Sequence, residues 1–185
     1  LKDHLRQFNT PVLGNGDIWT GSDALEMMAR TGADGVVVGR GCLGRPWLFS
    51  QLTAAFAGEE LPTEPRLGRV LQILRRHAEL LTLDYGEAKG CRDMRKHMSW
   101  YLKGFSVAHT VRQALGTVQT LAEIDALLAQ IDPDQAFNSE VGSGPRGRTS
   151  GSRRPALPDR WLETCELTAD DRVNVSLAEL SVSGG

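Results

Sequence analysis

Residues 35–49, GVVVGRGCLGRPWLF, limit the possible folds more than any other stretch. The three valines of residues 36–38 form a short apolar run between glycines, which predicts a buried parallel strand. The Gly-Arg-Gly turn of residues 39–41 follows, and Pro46 suits the first turn of a helix because its missing N–H costs nothing there. Free N–H groups beside a helix N-terminus attract anions. Taken alone, a tight turn without a ligand explains this stretch equally well.

A second unit of the same kind precedes this stretch. Residues 11–14, PVLG, predict another short strand, and residues 15–18, NGDI, predict its turn. A helix is predicted over residues 22–30, with Ser22 as its N-cap and Gly32 as its C-terminal stop. Its predicted buried face consists of Leu25, Met28 and Ala29. Strand, helix and strand form a right-handed βαβ unit with a glycine turn after each strand. In a (β/α)8 barrel the loops after the last two strands form a phosphate site, so the pattern predicts the closing βα units of such a barrel.

The length of the chain conflicts with a complete barrel. A (β/α)8 barrel needs roughly 200 residues or more, and only residues 1–60 of the 185 alternate strand and helix. We therefore expect the chain to be part of a longer protein. Cys42, Cys91 and Cys165 show no metal-binding or disulfide spacing. A cytoplasmic protein without metal or membrane association is expected, since no apolar run or signal-peptide pattern is present either.

Helical periodicity replaces strand character after Pro65. Helices are predicted over residues 65–85, 88–105 and 106–117, and a fourth from Thr120, where the pattern to Glu123 matches a capping box. The first two are predicted to bury Leu67, Val70, Leu71, Leu74, Ala78, Leu81 and Tyr85, and Met94, Met98, Tyr101, Leu102 and Phe105. Short connections between amphipathic helices predict a small antiparallel bundle.

Three segments follow from these patterns. The fold class is α/β followed by all-α: barrel-closing units over residues 1–60, a helical domain over 61–131 and a disordered tail over 132–185. The tail prediction depends on the loss of apolar periodicity and on the Gly, Ser, Pro and Arg content of residues 142–160.

The second bundle helix carries cations on one face. Lys89, Arg92, Lys96 and Lys103 are spaced i, i+3, i+7 and i+14, and Arg95 extends the stripe. Six Lys or Arg residues lie between residues 89 and 112 against one acid in this interval. A solvated helix face is the ordinary interpretation. A stripe of one sign favours contact with a phosphate backbone instead.

Three motifs in order resemble bacterial tRNA-dihydrouridine synthases: PVLGNGDI at residues 11–18, GADGVVVGRGCLGRPWLF at 32–49 and AKGCRDMRKHMSWYLKG at 88–104. The resemblance spans residues 1–131. It implies a monomeric, FMN-dependent enzyme with a TIM barrel, which reduces uridine in tRNA to 5,6-dihydrouridine with NADPH. It implies FMN contacts at Asn15, Gly16, Asp17, Gly39 and Arg40, and tRNA contacts at Lys89, Arg92, Arg95, Lys96 and Lys103.

The catalytic residue of that family is not matched. Its proton-donating cysteine belongs to an earlier barrel loop, expected upstream of Leu1, and neither Cys42 nor Cys91 lies in the corresponding motif. The chain alone is therefore expected to be inactive. Two alternatives stay open: a standalone RNA-binding helical module without catalysis, and a fragment of another phosphate-binding FMN barrel enzyme. The length favours the first of these, and the basic helix argues against the second.

Overall fold

The computed structural model describes residues 9–142, 168–170 and 172. The chain divides into two compact units, residues 1–146 and 147–185. In the second unit the N–H of Arg172 donates to the carbonyl of Thr168, a single helical turn. The elements below belong to the first unit.

The βαβ unit begins the described chain. Strand β1 (Leu13–Asn15) pairs in parallel with β2 (Gly35–Val37), with Gly14 opposite Val36. Both strands lie within two residues of their predicted positions. Helix α1 (Gly21–Thr31) connects them, and Gly32 ends it in the left-handed conformation, as predicted.

Two predictions about α1 were wrong. Its N-cap is Thr20 rather than Ser22, because the Thr20 hydroxyl and the Asp23 carboxylate form a reciprocal capping box. The helix buries Gly21 and Ala24. Of the predicted face, Leu25 is 44% exposed, Ala29 is exposed and Met28 is only half-buried. Small residues face inward because α1 packs closely on the next helix: a Cβ at Gly21 would lie 2.9 Å from the Ala55 Cβ.

After β2 the chain forms a short 3-10 turn (Arg40–Cys42) and then helix α2 (Leu48–Ala57), which Gly58 ends in the left-handed conformation. Ile18, Ala24, Leu48 and Leu52 form a small hydrophobic core between these elements.

The helical part contains the four predicted helices: α3 (Leu67–Tyr85), α4 (Glu87–Tyr101), α5 (His109–Leu115) and α6 (Leu121–Leu128). Helices α3 and α4 form a tight antiparallel hairpin at Gly86. The apolar periodicity predicted its core correctly, apart from the half-buried Leu81 and the exposed Tyr85. Sixteen buried residues form one cluster, which includes Leu67, Leu74, Met94, Met98, Phe105 and Ile124.

Two helices are shorter than predicted. Helix α4 ends at Tyr101 rather than at residue 105, and α5 begins at His109. Arg112 explains this boundary: its guanidinium donates to the carbonyls of Leu102, Phe105 and Val107, which therefore need no helical partners. The sequence alone does not reveal such bonds because the Arg side chain reaches back over ten residues.

The helical part extends past the predicted limit at residue 131. The N–H groups of Leu67 and Gly68, at the start of α3, donate to the carbonyls of Gln135 and Pro133 at 2.9 and 2.8 Å. Phe137 packs edge-on against Phe105, and a short helix α7 (Ser139–Gly142) follows. Disorder was therefore the wrong prediction for residues 132–142. Apart from residues 168–170 and 172, the rest of the predicted tail lies outside the described residues. Within the described part of the chain, no helix is long and apolar enough to cross a membrane.

Candidate functional site

A cleft of about 190 Å³ lies where β1 and β2 end. Residues 15–19 form one side, and Val37 with residues 39–41 forms the other. All five residues predicted to contact a cofactor line this cleft: Asn15, Gly16, Asp17, Gly39 and Arg40. The parallel pairing explains their proximity, since parallel strands bring their carboxyl ends to the same edge of a sheet.

Glycines give the cleft its shape. Gly41 is buried, and a Cβ at this position would overlap the carbonyl oxygen of Ile18, so the two loops touch backbone to backbone. Gly16 has φ +126°, a conformation open mainly to glycine. At Gly39 a Cβ would meet nothing within 4 Å, because this residue faces the open cleft.

The charges in the cleft nearly balance. The Arg40 guanidinium lies 3.9 Å from the Asp17 carboxylate, with side chains 50% and 83% exposed. An exposed ion pair of this kind is weak. Backbone N–H groups in a turn after a strand can form a concave surface that favours an anion.

A buried arginine binds one of the loops that form the cleft. Arg45 is only 6% exposed, and its guanidinium donates to the Trp19 carbonyl at 3.3 Å and to the Glu64 carboxylate. The other carboxylate oxygen of Glu64 accepts from the Trp47 indole at 2.6 Å. This network joins the cleft loop to the segment before α3. Sequence reasoning missed it, because the partners of Arg45 are 19 and 26 residues away and form no local pattern.

Two cysteines, Cys42 and Cys91, lie in the described part of the chain. Burial raises the pKa of the Cys91 thiol, which disfavours the reactive thiolate. The Cys42 thiol donates to the Gly39 carbonyl at 3.2 Å. Among the described residues, no group of three or more His, Cys, Asp or Glu side chains could hold a metal ion.

The predicted basic face is narrower in the structure. Lys89, Arg92 and Lys96 are exposed along α4, whereas Lys103 is half-buried. Arg95 points elsewhere: its guanidinium donates to the Val118 carbonyl at 2.8 Å. The pattern could not distinguish Arg95 from its neighbours, since a cation that caps a carbonyl and a cation in solvent have the same spacing.

One exposed cation of α4 already has a partner. The Lys89 ammonium lies 3.0 Å from the Asp93 carboxylate and 3.6 Å from the centre of the Tyr85 ring. Lys89, Arg92 and Lys96 also hold the pKa of the Asp93 carboxyl below its usual value, with the Lys89 hydrogen bond as the main cause.

A row of rings connects α3 with α4. The ring centre of His97 lies 4.7 Å from that of His77 and 4.9 Å from that of Trp100, and a nitrogen of His77 lies 3.2 Å from the Tyr101 hydroxyl. Burial, with the nearby His77 and Lys96, lowers the pKa of His97 to about 4. Burial also lowers the pKa of His77, so both histidines are neutral at pH 7. His109 is exposed at the start of α5.

Two parallel strands that end at one polar cleft, followed by a helical unit with a cationic helix, define an α/β protein with an added α-helical domain. The chain belongs to the dihydrouridine synthase family, because residues 2–140 match the family model described as Dihydrouridine synthase (Dus). The resemblance inferred from the three motifs is thereby confirmed.

Individual relatives agree with this assignment. The chain is 54% identical over 162 residues to a probable tRNA-dihydrouridine synthase of Mycobacterium tuberculosis (strain ATCC 25618 / H37Rv), covering 88% of this chain and 41% of the relative. It is 51% identical over 186 residues to the corresponding protein of Mycobacterium leprae (strain TN), covering 100% and 46%. A tRNA-dihydrouridine synthase B of Pasteurella multocida (strain Pm70) is 36% identical over 64% of this chain and 36% of its own length. The chain thus spans less than half the length of these relatives.

Proposed function

We propose that this chain is the C-terminal part of a flavin-dependent tRNA-dihydrouridine synthase, which reduces uridine in tRNA to 5,6-dihydrouridine with NADPH. The observation that carries the proposal is the cleft: five residues from two consecutive strand-end turns line it. The family membership of the chain supports the tRNA substrate.

The exposed apolar surface of the α/β part supports a barrel. Among the described residues the sheet has two strands, each with one unpaired edge. Five large apolar side chains on the strands and helices of the α/β part are 42–56% exposed, namely Leu13, Leu25, Val37, Phe49 and Phe56. A closed barrel with its outer helices would cover such positions. The DNA upstream of the Leu1 codon tests this: an in-frame extension with six more βα units is expected, and unrelated sequence would contradict the proposal.

The cleft fits the phosphate end of FMN. Its 190 Å³ equals about six water volumes of ~30 Å³, whereas a site that encloses a whole drug-sized ligand measures about 300–1,000 Å³. Backbone groups at residues 39–41 would bind the phosphate, and Arg40 would balance its charge. Asn15, Gly16 and Asp17 would hold the opposite side. The bound flavin would supply the hydride, and the proton is assigned to the cysteine expected upstream of Leu1.

The exposed cations of α4 would bind the phosphate backbone of tRNA. Lys89, Arg92 and Lys96 point to solvent along one helix. Arg95 and Lys103, which the family resemblance also implies, would contribute less, because Arg95 is bound to the Val118 carbonyl and Lys103 is half-buried.

A standalone RNA-binding helical module is the second candidate. One observation favours it: the helical part has its own core of 16 buried residues, whereas the α/β part has a separate cluster of four. Such a module would bind tRNA and no flavin. The family match leaves the third alternative, another phosphate-binding barrel enzyme, without support.

Replacing Lys89, Arg92 and Lys96 together with alanine is expected to weaken tRNA binding in the proposed longer enzyme. Each phosphate contact contributes about 0.7 to 0.9 to the slope of log K against log salt. The slope should therefore fall by about 2 to 3, while flavin content stays unchanged. Arg30→Ala on α1, where the side chain is 77% exposed, is the control for lost charge. Binding of the triple variant at the level of the parent would show that this face is only solvated.

Replacing Gly39 with valine is expected to have the opposite effects. The new side chain meets no protein atom within 4 Å at its Cβ, but valine must adopt ψ −110° here, so circular dichroism is used to select for a folded variant. The valine side chain would occupy the space assigned to the phosphate, and flavin absorbance should fall at least tenfold while tRNA affinity stays unchanged. A folded variant that keeps its flavin would place the phosphate elsewhere.

A further inference from the structure

A groove of about 430 Å³ lies between one face of α3 and the chain at Pro46 and Tyr101. Ile73 and Leu80 of α3 line it together with Pro46. Leu80 is 46% exposed although it is apolar. The volume is typical of a small-molecule site. Neither the cleft nor the α4 cations involve this surface.

Two arginines make the groove cationic. Arg69 donates to the neutral amide oxygen of Gln72, at 3.1 Å. Arg76 forms an ion pair with Glu79 in which the side chains are 60% and 42% exposed, so solvent screens it and a phosphate could replace the carboxylate. Seven residues separate the arginines, about 10 Å along the helix axis, so they can contact different phosphates of one strand. None of the described residues that line the groove is acidic.

The floor of the groove is partly polar, and its two rings meet edge-to-face. His77 and Tyr101 line it, with a hydrogen bond between the His77 ring and the Tyr101 hydroxyl. The ring of His77 touches His97, whose ring touches Trp100. Tyr101 is the last residue of α4, so the groove borders the helix on which Lys96 is exposed.

We propose that the groove binds one unstacked base of single-stranded RNA together with the phosphates on either side of it. Single-stranded RNA is bound by basic grooves in which bases stack on flat side chains or on Arg guanidinium planes. The base would lie against Ile73 and Leu80, and Arg69 and Arg76 would hold the phosphates. The proposal rests on the proposed function, in which α4 binds RNA. An acidic amphipathic helix is the competing occupant, and the position of the groove beside the cationic helix α4 favours RNA.

The test separates the base from the phosphates. The 185-residue chain is titrated with a fluorescent uridylate hexamer and with an abasic hexamer of the same charge. Leu80→Gln removes apolar contact without changing charge, so it should weaken uridylate binding about tenfold and abasic binding less than twofold. Leu83→Gln is the matched control, since Leu83 lies on the same helix, is 71% exposed and does not line the groove. Circular dichroism confirms that both variants are folded.

The arginines give a second readout. Arg69→Gln with Arg76→Gln should weaken both hexamers and lower the salt slope by about 1 to 2. Equal uridylate affinities for Leu80→Gln and Leu83→Gln would overturn the proposal, as would displacement of the hexamer by a lower concentration of an acidic amphipathic peptide. If these variants bind like the parent while the α4 triple variant binds weakly, only the groove proposal fails. If the triple variant also binds like the parent, RNA binding by α4 fails as well.

Discussion

Gly44→Ala is expected to destabilise the chain by about 3 kcal/mol or more. Gly44 has φ +65°, which alanine adopts at a cost of about 1 kcal/mol. A Cβ there would also lie within 2.5 Å of the Trp100 carbonyl oxygen and the Tyr101 nitrogen. These are backbone atoms of α4 and its end, so no side-chain rotation relieves the overlap. For a chain of this size the midpoint of thermal unfolding should fall by roughly 6 to 12 °C.

Gly58→Ala isolates the steric part of this effect. Gly58 has nearly the same backbone conformation, φ +69°, but a Cβ there would meet nothing within 4 Å. Gly58→Ala should lower the free energy of unfolding by only about 1 kcal/mol, which is the cost of placing alanine in the left-handed conformation. Equal losses of thermal stability in the two variants would mean that the loop at Gly44 does not touch α4.

Replacing Glu64 is expected to lower the stability of the fold nearly as much as Gly44→Ala does. Glu64→Leu leaves the buried Arg45 cation without its carboxylate and the Trp47 indole without its acceptor. Breaking a buried ion pair from one side typically costs about 3 to 5 kcal/mol. Because the Glu64 side chain is 26% exposed, we expect about 3 kcal/mol, measured by urea denaturation.

A double-mutant cycle separates the pair from other effects. Arg45→Met with Glu64→Leu should cost less than the sum of the single substitutions, with a coupling of about 1 to 3 kcal/mol, because no charge remains buried alone. The exposed pair Arg30 and Glu26, with side chains 77% and 65% exposed, should give a coupling close to zero. Additive losses at Arg45 and Glu64 would contradict the network.

Local patterns predicted much of this fold. The spacing of Leu67, Val70, Leu74 and Ala78 predicted which face of α3 is buried, since periodicity reports directly on burial. The glycine turns after both strands predicted that two loops would meet at one cleft. In both cases the sequence signal and the structural cause lie within a few residues of each other.

The predictions that failed concern contacts between distant residues. Arg95 was assigned to the basic face and Arg112 had no assigned role, yet both donate to carbonyls that no local pattern identifies. Residues 133 and 135 were assigned to a disordered tail because this segment has no apolar periodicity. Their backbone carbonyls accept hydrogen bonds from α3, and no side-chain pattern reveals such bonds. The prediction of the buried face of α1 failed for a similar reason. Gly21 is buried because Ala55 of α2 leaves no room for a side chain there, and this contact is distant in sequence.

The hydrogen bonds from Leu67 and Gly68 to Gln135 and Pro133 bring the entrance and the exit of the helical part to the same place. A structural unit whose two ends lie side by side can be exchanged as a whole, because the rest of the protein does not have to move to accept it. The other contacts of the helical part with the α/β part include those of Gly44, Pro46, Trp47 and the Arg45–Glu64 pair. In the proposed function, exchange of this unit between related proteins would alter the RNA-binding surface and leave the strand-end cleft unchanged.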